Sequence, residues 1–169
     1  MKNIFLIGFM GSGKSTIARV LSEKLGVAQI EMDEVIVQEQ GVPITEIFEK
    51  YGEEHFRDIE TDLVRRLQES DGVVVSCGGG AVLREENRKM MKASGVIVLL
   101  TAKPETILER VKHSTNRPVL NGHMNVEYIT ELMEKRRACY EDAADFVVET
   151  DGLTRDEICE EIVTFVQKQ

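Results

Sequence analysis

The chain has 169 residues, a formal net charge of −9 at pH 7 and a pI near 4.9, which suits one domain with a full core. The acidic balance argues against nucleic acid or an anionic membrane as a general partner, so an anionic substrate must meet local positive charge. The three cysteines are widely spaced in apolar patterns and no apolar run reaches membrane length, so we expect a cytoplasmic protein with reduced thiols and no membrane partner.

The first predicted strand, 3–8, leads through a glycine-rich turn into a predicted helix over 14–25. Residues 8–15 match G-x-x-x-x-G-K-[ST], the pattern of a P-loop. Glycines let the backbone turn tightly, so that N–H groups at the start of the helix face a polyphosphate. Lys14 is predicted to reach the terminal phosphates, and Ser15 to offer its hydroxyl to Mg²⁺. A plain glycine-rich turn with a surface lysine is disfavoured, because a strand precedes the motif and a helix follows it.

The rest of the chain continues to alternate between short apolar strands and helical periodicity. Further strands are predicted over 28–32, 72–77, 95–101 and 145–149, and further helices over 33–40, 44–50, 53–69, 84–93, 104–112, 125–142 and 154–167. This alternation predicts an α/β fold, in which helices cover both faces of a parallel sheet. Ligands of such folds bind at the carboxyl ends of the strands.

Two segments interrupt the alternation. Residues 33–71 are far more than one crossover helix needs, which indicates a small helical subdomain. Residues 113–124 form a polar stretch with a proline and a glycine. Beside a phosphate site such a loop is typical of a lid that closes and excludes water, although a plain surface loop remains open as an alternative.

The predicted second and third strands end in candidate site residues. Glu31 and Asp33 lie two residues apart, so their carboxylates share one side, where one can support Mg²⁺ and the other can handle a substrate hydroxyl. Solvated acids at a helix N-terminus are an equally open interpretation. The third strand ends without an acid and runs into a triple glycine at 78–80. That triplet either brings bare backbone N–H groups to the site or is a simple turn.

Arg136 is the basic residue that most clearly points inward. Its predicted helical neighbours are apolar and include no acid, which favours a buried arginine that binds an anionic ligand. Arg137 has acids in reach and is typical of a surface residue. Arg57 remains ambiguous, because an ordinary ion pair explains it equally well. The acids at helical spacing from it are Glu53, Glu54 and Glu60.

Six motifs in this order and spacing resemble those of the shikimate kinase family. They are Gly-Phe-Met-Gly-Ser-Gly-Lys-Ser at 8–15, an acid-x-Asp at 31–33, Phe-Arg-x-Ile-Glu at 56–60, Gly-Gly-Gly at 78–80, Arg-Pro at 117–118 and Arg-x-x-x-Tyr at 136–140. The resemblance implies a P-loop α/β/α fold of the nucleoside-monophosphate-kinase type with a five-stranded parallel sheet. It also implies one kinase domain over 1–169, with a core over 1–32, 61–111 and 125–169, a shikimate-binding subdomain over 33–60 and a lid over 112–124.

The resemblance further implies that ATP, with Mg²⁺, phosphorylates the 3-hydroxyl of shikimate, and we expect a monomer. It assigns catalysis to Lys14, Asp33 and Arg117. It assigns the nucleotide to Gly11, Ser12, Gly13, Lys14, Ser15, Thr16, Arg110, Arg117 and Arg155. It assigns shikimate to Asp33, Arg57, Gly79, Gly80 and Arg136, and the metal to Ser15 and Glu31.

Three residues depart from the family pattern, which usually has aspartate in place of Glu31 and proline in place of Ala138 and Arg155. A related sugar-acid kinase, for instance one for gluconate, is the alternative within this class, and the inward pair Arg57 and Arg136 disfavours it. A GTP-dependent switch is disfavoured because the chain contains no Asn-Lys-x-Asp motif. A silent nucleotide-binding regulator should lack the lysine, acid and lid arginine, all of which are present.

Overall fold

The structure, a computed structural model, describes residues 1–112, 120 and 122–169. In this part of the chain there are five strands: β1 (Asn3–Ile7), β2 (Gln29–Glu31), β3 (Val74–Ser76), β4 (Gly95–Thr101) and β5 (Phe146–Glu149). There are also seven helices: α1 (Lys14–Leu25), α2 (Met32–Gln40), α3 (Ile44–Leu67), α4 (Glu85–Ser94), α5 (Pro104–Val111), α6 (Val126–Ala143) and α7 (Arg155–Gln167). Among these described helices, none has the length and apolar composition needed to cross a membrane.

The five strands form one parallel sheet in the order β2-β3-β1-β4-β5. The central strand β1 sends alternate side chains to opposite faces, as an extended strand must. Phe5 and Ile7 pack in one apolar cluster with side chains of α2, α3, α4 and α6. Ile4 and Leu6 pack in a second cluster with side chains of α1 and α7. The three-layer α/β/α architecture with a five-stranded parallel sheet is therefore confirmed.

The predicted boundaries differ from the structure mainly in the second and third strands and in the first part of the helical segment. β2 and β3 are three residues each, because the ladder that pairs them covers only Gln29–Glu31 and Val74–Ser76. The helices predicted over 44–50 and 53–69 form α3, which is broken at Gly52 by a non-helical φ of 85° and ψ of 170°. A left-handed φ of this kind is tolerated by glycine at little cost, so Gly52 lets the two arms of α3 diverge.

Candidate active site

Residues between β1 and α1 form the predicted P-loop. Gly13 caps α1 with a left-handed φ of 97°, a conformation that suits glycine. Lys14, at the first position of α1, is only 8% exposed. Its Nζ donates to the carbonyl oxygens of Gly8 at 2.7 Å and Phe9 at 3.0 Å. These bonds hold the ammonium against the loop, at the N-terminus of α1. The free N–H groups and the dipole at a helix N-terminus favour anions.

A cavity of about 270 Å³ opens beside this loop and brings most of the predicted nucleotide and metal residues together. Arg110, near the end of α5, lines it and donates from Nη1 to the Gly11 carbonyl at 2.9 Å. Arg155 is exposed at the start of α7 and does not line this cavity. The lining of the cavity consists of Met10, Gly11, Gly13, Lys14, Ser15, Thr16, Glu31, Asp33, Ser76, Cys77, Gly78, Gly79, Arg110 and Val111.

Ser15 and Glu31 lie side by side at the cavity wall. The Ser15 hydroxyl donates to Glu31 Oε2 at 2.8 Å. The Ser76 hydroxyl, at the end of β3, lies 3.4 Å from the Ser15 hydroxyl oxygen. Within the described ranges no group of three or more His, Cys, Asp or Glu residues could hold a metal by itself. Mg²⁺ characteristically uses one or two protein oxygens and completes its shell with water and phosphate oxygens. The hydroxyl and carboxylate present here fit such an ion.

A second group of charged residues, apart from the P-loop, begins with Arg57 on α3. Its Nη1 donates to Glu60 Oε1 at 2.8 Å, and its Nε and Nη2 donate to Glu53 Oε2 at 3.3 and 3.2 Å. Burial alone lowers the pKa of Arg57, but the two carboxylates outweigh it and hold that pKa above its usual value. Glu60 is only 1% exposed. Burial raises the pKa of Glu60, Arg57 opposes the rise, and the nearby charge of Asp33 adds to it.

Arg136 on α6 is 4% exposed and points inward, which confirms the expectation drawn from its apolar helical neighbours. Its guanidinium lies 5.7 Å from the centre of the Phe9 ring, in reach of a cation–π contact. Its buried Nη1 has no hydrogen-bond partner within the described ranges. Arg137 is an exposed residue that pairs with Glu134 and Glu141, as predicted. Arg136 is therefore a buried cation with a donor left over for an anion.

The turn at 78–80 joins the two arginines. A side chain on Gly80 would overlap the Arg57 guanidinium, and a Cβ on Gly79 would lie 3.4 Å from Arg136 Nη1. A Cβ on Gly78 would lie 2.7 Å from Glu60 Oε2 and 3.1 Å from Asp33 Oδ1. The turn consists of glycine because two guanidiniums and two carboxylates approach its backbone so closely.

Several residues of this site were missed or given no role from sequence. The sequence indicates Glu60 as a neighbour of Arg57 and as the last residue of the motif at 56–60, but its burial depends on the packing of α3 against the turn at 78–80. Tyr140 donates its hydroxyl to the Gly79 carbonyl at 2.6 Å. Phe9, Ser76 and Gln29 were also missed, and the alternation of Gln29 with Glu31 along β2 could have indicated the last of these. Ser12 is buried with no partner for its hydroxyl in the described part of the chain, and Arg117 lies outside the described residues.

Comparison with known proteins places this geometry in a family. The model of the family described as "SKI: Shikimate kinase" matches residues 10–167. A shikimate kinase of Thermodesulfovibrio yellowstonii is 46% identical over 163 residues, which cover 96% of this chain and 94% of the relative. The structure of a shikimate kinase from Acinetobacter baumannii in complex with shikimate has a TM-score of 0.95 and 32% identity, and the match covers 99% of this chain and 94% of that one. A shikimate kinase structure from Aquifex aeolicus has a TM-score of 0.84 and 38% identity, over 98% of this chain and 96% of that one. The chain therefore belongs to the shikimate kinase family.

Proposed function

We propose that this chain transfers the γ-phosphoryl group of ATP to the 3-hydroxyl of shikimate and releases shikimate 3-phosphate and ADP. The reaction belongs to the biosynthesis of aromatic amino acids. Family membership and the names of relatives that match over nearly their whole length support the proposal. The observation that carries it is the pair of buried guanidiniums, Arg57 and Arg136, which lie against one glycine turn.

We call the part of the site around Arg57, Arg136 and the turn at 78–80 the acceptor half, and it suits a small ring that bears a carboxylate and several hydroxyls. A guanidinium presents a planar fork that matches a carboxylate, and two such forks orient the acid while excluding neutral ligands. The spare Nη1 donor of Arg136 is available for one carboxylate oxygen. Backbone groups of Gly79 and Gly80 are then the contacts for ring hydroxyls. Residues 33–60 would supply most of this subdomain.

Asp33 is the residue proposed to handle the reacting hydroxyl. It lines the same cavity as Lys14 and stands at the start of α2, with Oδ1 close to Gly78. In phosphoryl transfer by kinases a carboxylate orients the attacking hydroxyl and accepts its proton. This position suits a residue that acts between the nucleotide half of the site, around Lys14, and the acceptor half.

The nucleotide half supplies positioning and charge. Lys14 would exchange its contacts with loop carbonyls for contacts with phosphate oxygens, and Arg110 would lie against the base. Mg²⁺ when bound neutralises charge on the phosphates, and Ser15 and Glu31 would hold it. The proposed lid over 112–124 and the role of Arg117 at the transferring phosphoryl group stay predictions, as do the monomeric state and the cytoplasmic location.

An assay that couples ADP release to a spectroscopic signal tests the proposed function. Purified protein should release ADP only when ATP, Mg²⁺ and shikimate are all present, and the product should be shikimate 3-phosphate. Gluconate and nucleoside monophosphates serve as competing acceptors and should be ineffective. Equal turnover of gluconate would overturn the assignment of the acceptor.

A further inference from the structure

We infer that Gln29 is a positioning residue that fixes the Glu31 carboxylate beside Ser15 for Mg²⁺ binding. The inference rests on the proposed function, because it refines the metal half of that site. It concerns a residue that contacts neither substrate nor metal and acts through Glu31.

The geometry around Glu31 is a two-sided clamp. Gln29 and Glu31 are alternate residues of β2, so their side chains lie on the same face of the sheet. Gln29 Nε2 donates to Glu31 Oε1 at 2.6 Å, while the Ser15 hydroxyl donates to Glu31 Oε2 at 2.8 Å. Each carboxylate oxygen therefore has its own donor, and the carboxylate has one orientation in which both bonds are made.

The amide nitrogen of Gln29 must be the atom that faces this cluster. Besides Glu31 Oε1, it contacts the backbone carbonyl oxygen of Ser15 at 3.4 Å. Both partners can only accept, and a glutamine amide has two N–H donors on one nitrogen and none on its oxygen. One side chain on β2 thus ties the carboxylate to the first turn of α1, where the Ser15 hydroxyl also lies.

A glutamate at this position needs such a clamp more than a shorter acid does. Its extra methylene adds a rotatable bond, whose freedom must be lost when the carboxylate is held in one place. An open groove beside β2, lined by Arg19 and Glu34 among others, offers Glu31 space away from the cavity. Hydrogen bonds to a charged acceptor are stronger than neutral ones, so the Gln29 amide can hold Glu31 on the cavity side. Neighbours that orient a metal ligand in this way commonly change metal affinity by 10–100-fold.

The first experiment measures metal binding directly. Mn²⁺ replaces Mg²⁺ as the probe, and electron paramagnetic resonance counts free Mn²⁺ during titration of the full chain with ADP present. Gln29→Leu keeps the volume of the side chain and removes both donors, and it should weaken Mn²⁺ binding by about 10-fold. ADP affinity without metal and the unfolding temperature should match the parent. The matched control is Gln38→Leu, the same change at an exposed position on α2, which should leave Mn²⁺ binding unchanged.

A double-mutant cycle tests whether Gln29 acts through Glu31. In a Glu31→Asp background the shorter acid no longer meets the amide in the same way, so adding Gln29→Leu should change Mn²⁺ affinity by less than about twofold. An equal loss in both backgrounds would overturn the inference, because Gln29 would then act elsewhere. Parent-like Mn²⁺ binding by Gln29→Leu would also overturn it. Both measurements omit shikimate, so failure of the proposed acceptor, seen in the ADP-release assay, is a separate result.

Discussion

The proposed nucleotide half and the proposed acceptor half of the site are built in different ways. The nucleotide half comes mainly from one contiguous segment, in which backbone N–H groups, Lys14 and Ser15 follow one another at the start of α1. The acceptor half is assembled from three segments far apart in the chain, namely α3, the turn at 78–80 and α6. A local motif can therefore create the first half, whereas the second exists only once the whole sheet and its helices have packed.

The two halves also differ in how completely their buried charged groups are hydrogen-bonded. Both halves bury charges, and burial of a charge is costly unless it is paired or hydrogen-bonded. In the nucleotide half the buried ammonium of Lys14 donates to two carbonyl oxygens, whereas the acceptor half meets the cost only in part. Arg57 and Glu60 offset part of that cost by pairing, while Glu60 Oε2 and Arg136 Nη1 are left without hydrogen-bond partners among the described residues. We expect changes in the nucleotide half to alter chemistry or metal binding, and changes in the acceptor half to alter shikimate binding or stability.

The largest effect is expected from Lys14→Ala, in the nucleotide half. Lys14→Ala removes the cation proposed to contact the phosphates and should lower kcat by about 10³-fold, the size found when one preorganised charge-stabilising donor is lost. Shikimate affinity, measured by calorimetry, should stay at the parent value. A parallel loss of shikimate affinity would show that the halves are coupled. The route would be Phe9, whose carbonyl accepts from Lys14 and whose ring lies by Arg136.

The corresponding substitution in the acceptor half is Arg136→Ala. Truncating one partner of a desolvated charge contact should weaken shikimate binding by about 3 kcal/mol, while ATP binding changes little. Isothermal titration with each ligand separately measures both. Arg137→Ala, at the exposed neighbour with two ion pairs on the surface, should do almost nothing. Unchanged shikimate affinity in Arg136→Ala would remove this residue from the clamp.

A smaller effect is expected from substitutions at Glu31, in the proposed metal site of the nucleotide half. Glu31→Gln keeps the shape and removes the charge, so it should raise the Mg²⁺ concentration for half activity by about 10-fold. Glu31→Asp should keep substantial activity, because the charge remains and water can fill the gap left by one methylene. A Mg²⁺ titration of the ADP-release assay compares the three proteins. If Glu31→Gln matches the parent throughout, Glu31 has no part in the metal site.

The smallest expected effect is a change in the pH dependence of stability. Burial raises the pKa of Glu60 above 4.5 in the folded chain, although Arg57 opposes the rise. A raised folded pKa contributes stability below pH 4.5 that is lost as the pH rises through the folded value. Glu60→Gln cannot titrate, so its unfolding free energy relative to the parent should increase as the pH rises from 4.5 to neutrality.

Denaturant unfolding at a series of pH values provides the measurement for Glu60. Glu49→Gln, at an exposed position of the same helix, is the matched control and should show no such trend. A trend in the opposite direction would mean that the ion pair with Arg57 outweighs burial and lowers the pKa of Glu60. The acceptor half would then be stabilised by its charges and not burdened by them.

Sequence reasoning succeeded where a function depends on neighbours along the chain. The P-loop could be predicted because its residues are contiguous, and the burial of Arg136 could be predicted because helical spacing defines a face. The burial of Glu60 could not be predicted in this way. An acid three residues from an arginine forms either a solvated pair or a buried one, and only the packing of the turn at 78–80 against α3 decides between them. The extents of β2 and β3 likewise depend on their ladder partners.

Cys77 places a thiol of low reactivity in the wall of the cavity. The residue directly follows β3 at the cavity wall and is 2% exposed. Burial raises the pKa of its thiol far above the ordinary range, so the thiolate, which is the form that reacts with electrophiles and oxidants, is scarce at neutral pH. Half-buried Cys139 on α6 is more accessible. A site with sulfur in its wall is thus expected to tolerate alkylating agents and peroxide, and thiol reagents that do react should label α6 first.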